Sequence, residues 1–399
     1  MHLRQLFLQH VAQTSAFPLM IEIERGDGMY LYDKNGKAYL DLIAGIGVSC
    51  LGHRHPAVVE AIKSQTDKYL HTMVYGEYVL EPQVSLAKRL MENLPTSLNS
   101  VYFVNSGTEA TEGAMKLAKR YTGRPEIAAF KYAYHGSTQG AASLMWPKDF
   151  TQAYQPLLPG IIHLDFNDEN SLELITEYTA CVVVEVVQAE WGVRKGTPSF
   201  MAELRRRCDA TGALLVFDEI QTGFGRTGSL FAFEQYGIAP DILLLAKGMG
   251  GGMPIGAFIA DQKIMSALSH NPILGHITTF GGHPVSCAAS LATLETLLSS
   301  DLIEKAPEKE ALFRSRLQHP AIKEVRSAGL MMAVELNGGF EMVQAVIQYC
   351  LQEGLIIDWF LFNNRSLRIA PPLIITNEEI EKACQVIIAA MEASRTIGR

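Results

Sequence analysis

The feature that most constrains the fold is an alternation of short apolar runs with helical patterns between about residues 55 and 295. The apolar runs are strand-sized and nearly continuous, as in strands that helices cover on both faces of a sheet. The strand candidates are residues 101–104, 127–131, 181–187, 213–217 and 242–246, and the helix candidates are residues 108–121 and 198–211. The pattern predicts an α/β fold with a mainly parallel sheet flanked by helices.

Both chain ends carry patterns of another kind. Residues 29–40 alternate in polarity around Asp33-Lys34-Asn35-Gly36, which is typical of a hairpin turn. Near the C-terminus, residues 322–336 and 355–358 indicate strands, and residues 378–393 have helical spacing. We therefore expect a large domain over residues 51–295 and a smaller α+β domain built from residues 1–50 and 296–399.

The extreme N-terminus places Leu3, Leu6, Phe7 and Val11 on one helical face, interrupted by glutamines and a histidine. This pattern predicts a folded helix rather than a signal segment. No apolar run approaches the roughly 20 residues that cross a bilayer, so no membrane association is expected.

The net charge and the cysteine content argue against a nucleic-acid-binding protein and against a metal-binding protein. The formal net charge is −8, and the longest basic cluster is residues 205–207, which argues against a nucleic-acid partner. The six cysteines are scattered and form no Cys-x-x-Cys pair. They predict reduced thiols in a cytoplasmic protein and no metal site.

Reactive groups follow three of the predicted strands. Asp218 ends one strand, Lys247 follows a second, and Asn105-Ser106-Gly107-Thr108 joins a third strand to a helix. Ligands of open α/β sheets bind beyond the carboxyl ends of the strands, so we expect these groups to share a site. The helix start offers backbone N–H groups where an anion is favoured.

Each of these groups also has a purely structural interpretation. Ser106 and Glu109 fit a capping box, which needs no ligand. Lys247 could extend along the surface to solvent, whereas desolvation would lower its pKa and favour imine formation. Asp218 could pair with Arg226, or with a cationic ring nitrogen of a ligand.

The motifs together resemble those of class III pyridoxal-phosphate-dependent aminotransferases, with an overall similarity to the acetylornithine and ornithine aminotransferases. The resemblance runs from about residue 20 to the C-terminus, in the family's order. The matching segments are Gly-Asp-Gly-Met-Tyr-Leu-Tyr-Asp at 26–33, Gly-His-Arg-His-Pro at 52–56, Asn-Ser-Gly-Thr-Glu-Ala at 105–110, Tyr-His-Gly at 134–136, Phe-Asp-Glu-Ile-Gln-Thr-Gly-Phe-Gly-Arg-Thr-Gly at 217–228, Ala-Lys-Gly at 246–248 and Thr-Thr-Phe-Gly-Gly-His-Pro at 278–284.

The resemblance implies a fold-type-I enzyme with pyridoxal 5'-phosphate as its cofactor. Lys247 would form the Schiff base with the cofactor and then act as the proton-transferring base. Asp218 would hydrogen-bond the pyridine nitrogen and keep it protonated. Tyr134 would stack on the ring, and Gln221 would lie beside its 3-hydroxyl group.

The phosphate would be held at the helix start by Ser106, Gly107 and Thr108. The resemblance also implies that Thr279 reaches the phosphate of the neighbouring subunit's cofactor. The enzyme would then be a homodimer with shared active sites.

Substrate binding is implied for two further residues. Ser-Leu-Arg-Ile-Ala-Pro-Pro at 366–372 resembles the segment whose arginine binds a substrate carboxylate, which makes Arg368 the candidate. Glu190 aligns with the acidic residue that pairs with this arginine in enzymes acting on ω-amines. The implied reaction transfers an amino group from an amine or ω-amino donor, ornithine- or acetylornithine-like, to a 2-oxo acid such as 2-oxoglutarate.

The chain departs from the family pattern around the substrate. Ornithine-type enzymes usually carry arginine after the aromatic-x-Gly segment, where this chain has Ser137. Trp191 stands where a small residue is common. Both departures leave the identity of the donor open.

Two other functions compete with this assignment. Residues 250–257, Gly-Gly-Gly-Met-Pro-Ile-Gly-Ala, resemble the glutamate-1-semialdehyde aminomutases, although Arg368 and Glu190 argue against that activity. A non-catalytic dimeric binding protein of the same fold is the second, because folds host unrelated functions. The presence of both Lys247 and Asp218 argues against it.

Overall fold

The computed structural model describes residues 3–394, whose strands form one large sheet and three smaller ones. The strands are β1 (Ile23–Asp27), β2 (Tyr30–Asp33), β3 (Ala38–Asp41), β4 (Ser100–Val104), β5 (Glu126–Phe130), β6 (Ile161–Leu164), β7 (Thr179–Glu185), β8 (Val187–Gln188), β9 (Arg194–Lys195), β10 (Leu214–Asp218), β11 (Ile242–Leu245), β12 (Gly256–Ala260), β13 (Ile322–Ser327), β14 (Met332–Leu336), β15 (Leu355–Ile356), β16 (Asp358–Trp359) and β17 (Ser366–Ile369). The helices are α1 (Leu3–His10), α2 (Ala44–Gly47), α3 (Pro56–Lys68), α4 (Glu81–Met91), α5 (Gly107–Thr122), α6 (Gln139–Ala142), α7 (Pro198–Thr211), α8 (Gln262–Met265), α9 (Pro284–Leu298), α10 (Leu302–Arg316), α11 (Phe340–Gln352) and α12 (Asn377–Ala393).

The large sheet has seven strands in the order β4-β12-β11-β10-β7-β5-β6. Its neighbouring strands are parallel except where β12 pairs antiparallel with β11 and with β4. Strands β7, β10 and β11 are buried along their whole length. The predicted mainly parallel sheet, covered on both faces, is therefore confirmed.

Local sequence signals explain where the flanking helices begin and end. The Thr197 side chain accepts a hydrogen bond from the backbone N–H of Phe200 and caps α7, whose first residue is Pro198. Gly212 ends the same helix with a left-handed backbone at φ 72°, which glycine adopts at little cost. These signals made both ends of α7 predictable.

The smaller sheets draw on both chain ends. The predicted hairpin is formed by β2 and β3, and the Asp33 carboxylate accepts hydrogen bonds from the backbone N–H groups of Asn35 and Lys37 in its turn. β3 also pairs in parallel with β15, near the other end of the chain. β13, β14, β17 and β16 form a separate four-stranded sheet. The division into two domains stays a prediction, and residues 1–2 and 395–399 of its smaller part lie outside the described residues.

The expected N-terminal helix is confirmed as α1, which buries none of its residues. Among residues 3–394, no helix combines the length and apolarity that a bilayer crossing requires.

The prediction missed two strands of the large sheet and misassigned one segment near the C-terminus. β6 and β12 were not predicted. β12 begins with Gly256 and Ala257, shortly after the glycines at residues 250–252 and Pro254, and these residues lower its strand signal. The single strand predicted at residues 355–358 is wrong. The segment divides there, because β15 pairs with β3 while β16 pairs with β17 in another sheet.

Candidate active site

The predicted reactive groups meet at one edge of the large sheet. β4, β10 and β11 run in the same direction, so their carboxyl ends lie side by side. A cavity of about 510 Å³ opens there. Seven of the eight residues assigned to the cofactor line it, namely Ser106, Gly107, Thr108, Tyr134, Asp218, Gln221 and Lys247.

Lys247 enters the cavity from the end of β11. Its backbone has a left-handed φ of 43°, which is uncommon for a residue with a side chain. Its Nζ donates a hydrogen bond of 3.0 Å to Oε1 of Gln221. Burial lowers the pKa of Lys247, an effect that nearby Glu190 opposes and nearby Arg368 reinforces. The amine thus points into the cavity rather than along the surface, and its neutral form is favoured relative to a free lysine.

Asp218 is buried, with 3% of its surface exposed. Its Oδ2 shares a hydrogen bond of 2.7 Å with Nδ1 of His135, and its Oδ1 accepts from the backbone N–H of Ile220 at 2.9 Å. The alternative pairing with Arg226 is wrong, because Arg226 donates to the backbone carbonyls of Leu330 and Pro371. His135 had no assigned role, although it lies within the Tyr-His-Gly segment.

A second buried carboxyl group, that of Glu185, lies directly across from Asp218 on β7. Burial and then the Asp218 charge raise the pKa of Glu185 well above its usual value. Its oxygens accept hydrogen bonds from the backbone N–H groups of Tyr134 and Ala189. Glu185 therefore fixes the Tyr134 segment, a role that sequence reasoning missed although the residue ends an otherwise apolar strand.

The start of α5 forms another wall of the cavity. Ser106 caps the helix by accepting a hydrogen bond from the Glu109 N–H, but Glu109 reaches back to the N–H of Asn105, so the capping box is incomplete. The hydroxyl of Thr108 shares a hydrogen bond of 2.6 Å with that of Thr138. Gly256 lies so close that an added Cβ would stand 2.4 Å from the carbonyl oxygen of Ser106. Ser106 thus caps α5, and the start of this helix still faces the cavity.

Two buried polar atoms remain available for a ligand. Within the described chain, Nε2 of Gln221 and Nε2 of His135 are buried without a hydrogen-bond partner. Unsatisfied buried polar atoms cost free energy, so two such atoms around one cavity indicate a polar ligand there.

Glu219 anchors the segment that follows Asp218. Its buried carboxylate accepts hydrogen bonds from the Thr222 hydroxyl and from the backbone N–H groups of Ala232 and Phe233. Burial raises the pKa of Glu219 to about 7, although these hydrogen bonds lower it. The loop that carries Gln221 therefore depends on a buried carboxyl group.

We expect Glu219 to make stability depend on pH. Because its pKa is raised in the folded state, its contribution is fully present below the unfolded-state pKa and is lost as the pH rises through about 7. The loss corresponds to about 3 kcal/mol. Denaturant unfolding of the apo-protein between pH 4.5 and 8 should show that Glu219→Gln flattens this dependence, whereas the exposed Glu353→Gln does not. Parallel profiles for Glu219→Gln and the unaltered protein would contradict the assignment.

A second cavity of about 840 Å³ adjoins the first and shares Tyr134, Ser137 and Lys247 with it. Both residues assigned to the substrate line it. Nη2 of Arg368 lies 2.6 Å from Oε2 of Glu190, and both side chains are buried. The same Glu190 oxygen accepts the backbone N–H of Leu361. We refer to this cavity as the outer chamber.

Two residues singled out from the sequence lie elsewhere. Thr279 is exposed and is not among the described residues that line either cavity. The Trp191 ring stacks on that of Tyr132 at a centroid distance of 4.7 Å. Within residues 3–394 it also lies outside both linings, so its bulk does not narrow the outer chamber directly.

Comparison with known proteins agrees with this geometry. The model of the family "Aminotransferase class-III" matches residues 11–391. The chain is 42% identical to the acetylornithine aminotransferase of Methanopyrus kandleri, over 96% of this chain and 97% of that enzyme. It is 39% identical to the succinylornithine transaminase of Yersinia pseudotuberculosis, over 98% of this chain and 96% of that enzyme.

A solved structure shows the same fold. The ornithine aminotransferase of Toxoplasma gondii, with partial occupancy of pyridoxal phosphate at its active site, superposes with a TM-score of 0.91. Its sequence identity is 30%, and the match covers 98% of this chain and 94% of that one. The fold is therefore that of the fold-type-I transferases, and the chain belongs to the class III aminotransferase family.

Proposed function

We propose that the protein transfers an amino group from an amine or ω-amino donor, such as an ornithine- or acetylornithine-like compound, to a 2-oxo acid such as 2-oxoglutarate, and that Lys247 would bind pyridoxal phosphate as a Schiff base. The observation that carries the proposal is the arrangement around one cavity of the Lys247 amine, the Asp218 carboxylate and the open start of α5. These are an imine-forming amine, a partner for a ring cation and an anion site.

The described residues fit this cofactor. Asp218 would accept a hydrogen bond from the ring nitrogen, while His135 holds the carboxylate in place at 2.7 Å. The unpartnered Nε2 of Gln221 would meet the ring hydroxyl. Gly107 and the Thr108 hydroxyl, with Ser106, would bind the phosphate, and Tyr134 would cover the ring.

Lys247 has two tasks in this proposal. When bound, pyridoxal phosphate supplies an electrophilic carbon and an electron-accepting ring. The lowered pKa of Lys247 favours a neutral amine, which is the form that would attach to this carbon. When not attached to the cofactor, Nζ of Lys247 would take a proton from the substrate carbon and return it. Gln221 orients this amine through the 3.0 Å hydrogen bond.

Arg368 and Glu190 would admit two unlike substrates in turn. A planar guanidinium can bind the α-carboxylate of 2-oxoglutarate through two hydrogen bonds. For the ω-amino donor, Glu190 neutralises Arg368 through the 2.6 Å ion pair. The pair thus acts as a switch between the two half-reactions.

One observation favours a different 2-oxo acid as the amino-group acceptor. Apart from Lys247, Arg368 is the only cationic side chain among the described residues that line the outer chamber. The second carboxylate of 2-oxoglutarate would find no further arginine or lysine there, which favours an acceptor with one carboxylate, such as pyruvate.

Half-reactions test the proposal. Ornithine, acetylornithine and simple amines would be added singly to the holoenzyme, and the loss of the cofactor's visible absorbance would be followed. The aminated enzyme would then be mixed with 2-oxoglutarate or pyruvate. Failure of every donor and both acceptors on a protein that binds the cofactor would refute the proposed function.

We also propose a homodimer with shared active sites. Exposed apolar side chains lie together near Thr279. Val79, which is 92% exposed, lines one groove together with Gly281, and the Phe280 ring contacts the His71 ring. Such patches are typical of subunit interfaces. Buried cysteine thiols support the expected cytoplasmic location.

Thr279→Ala should weaken cofactor binding although Thr279 lies outside the cavity of its own chain. Loss of one hydrogen bond to a charged phosphate would raise the dissociation constant roughly tenfold. Equilibrium dialysis of the cofactor would measure it, with the exposed Thr66→Ala as control. Full activity of a monomer across a dilution series would contradict the shared site.

A further inference from the structure

The charges of the outer chamber do not cancel. The described residues that line it include two carboxylates, Glu190 and Asp358, and two cations, Arg368 and Lys247. Glu190 neutralises Arg368 at 2.6 Å. Lys247 is engaged by the cofactor in the proposed function. The negative charge of Asp358 is therefore left over.

Asp358 has a defined place beside the switch. It lies on β16 directly opposite Arg368 on β17, and residues opposite each other in an antiparallel pair project from the same face. Its Oδ1 accepts the backbone N–H of Trp359 at 2.7 Å. Within the described chain, no cation lies at ion-pair distance from its carboxylate. Burial raises the pKa of Asp358, which a bound cation would offset.

The positions of these charged groups indicate how a donor would lie in the outer chamber. Lys247 lines both cavities, and the outer chamber beside it contains the Glu190–Arg368 ion pair. Asp358 lies opposite Arg368 on the neighbouring strand. A donor that reacts beside Lys247 would thus extend past the neutralised switch toward Asp358.

Among the described residues of this chain, the remaining wall of the outer chamber carries no cation that could bind a donor carboxylate. It consists of uncharged residues, among them the side chains of Ser137, Met145, Phe150, Tyr154 and Trp359. A methylene chain can pack against these rings, whereas a carboxylate would lose its hydration beside Asp358 without gaining a cation.

We infer that the amino donor is a diamine without a carboxylate, whose second amine, protonated, is bound by Asp358. This inference rests on the proposed function: it keeps the amine donor and the transfer to a 2-oxo acid, and it replaces the carboxylate-bearing, ornithine-like donor by a diamine. The reaction balances without another reactant: the reacting CH₂–NH₂ group of the diamine becomes an aldehyde, and the keto group of the 2-oxo acid becomes CH–NH₂.

Three donors that carry the same four methylene groups after the reacting amine test the inference. They are 1,4-diaminobutane, pentylamine and 5-aminopentanoate, which end in an ammonium, a methyl and a carboxylate group. Ornithine, which is 1,4-diaminobutane bearing a carboxylate, is the fourth. In single-turnover measurements on the holoenzyme we expect 1,4-diaminobutane to react at least about tenfold faster than the other three at low concentration.

Asp358→Asn should abolish most of the preference for 1,4-diaminobutane over pentylamine, whereas Asp67→Asn, on the exposed face of α3, should preserve it. Equilibrium binding gives a readout independent of turnover. In the Lys247→Ala background, Asp358→Asn should weaken binding of 1,4-diaminobutane by roughly tenfold.

Two results would overturn the inference: faster reaction of ornithine or 5-aminopentanoate, or an unchanged preference in Asp358→Asn. The acceptor half-reaction separates this failure from failure of the proposed function. If the aminated enzyme still reacts with a 2-oxo acid, only the diamine assignment falls. If it does not, the proposed function falls as well.

Discussion

Lys247→Ala is expected to abolish transamination while leaving the protein folded. The substitution removes the amine that attaches the cofactor and the base that moves the proton, and positioned general bases alone contribute about 10²–10⁴-fold in rate. Among residues 3–394, Nζ has one hydrogen-bond partner, Gln221, so few native contacts are lost. Single-turnover rates with the preferred donor would measure the loss.

The attachment point can be identified directly. Borohydride reduction of the holoenzyme followed by peptide mass spectrometry should place the reduced cofactor on Lys247. The exposed Lys263→Ala is a matched control and should retain both activity and adduct. An adduct on any other lysine would remove Lys247 from the proposed role.

Arg368→Ala should slow the 2-oxo-acid half-reaction by orders of magnitude. The substitution deletes the carboxylate-binding cation and leaves Glu190 buried without its ion-pair partner. Truncating one member of a buried charge pair costs about 2–5 kcal/mol, or roughly 30-fold to several thousand-fold. The nearby exposed Arg365→Ala should change neither half-reaction.

Glu190→Ala should affect the two halves unequally. Arg368 would be left without its neutralising partner, which favours the oxo acid and disfavours the donor. The donor half-reaction should slow while the oxo-acid half is kept or becomes faster. Equal losses in both halves would show that Glu190 is structural and would remove the main support for an ω-amino donor.

The sequence predicted the fold and the meeting of the reactive groups because both follow from local patterns. A continuous aliphatic run ending in a charged residue, as before Asp218 and Lys247, marks a buried strand and its carboxyl end. The rule that parallel strands present these ends at one edge then brings the groups together. No long-range information was needed for that step.

The unpredicted features depend on contacts between distant segments. His135 and Asp218 meet across the sheet, and neither has a local signal for the other. Glu185 reads as an ordinary strand end until its pairing with Asp218 is known. Asp358 acquires its place opposite Arg368 only because residues 355–358 divide between two sheets.

The pairing of β3 with β15 has a consequence for synthesis on the ribosome. The paired residues Leu40 and Leu355 are more than 300 positions apart in the chain. At about 5–20 residues per second, β3 emerges on the order of 15 to 60 s before its partner exists. During that interval β3 is an open sheet edge, with the unpaired backbone groups that favour association with other nascent chains. The early β1-β2-β3 unit is therefore a part of this protein in which a chaperone would protect an unpaired sheet edge.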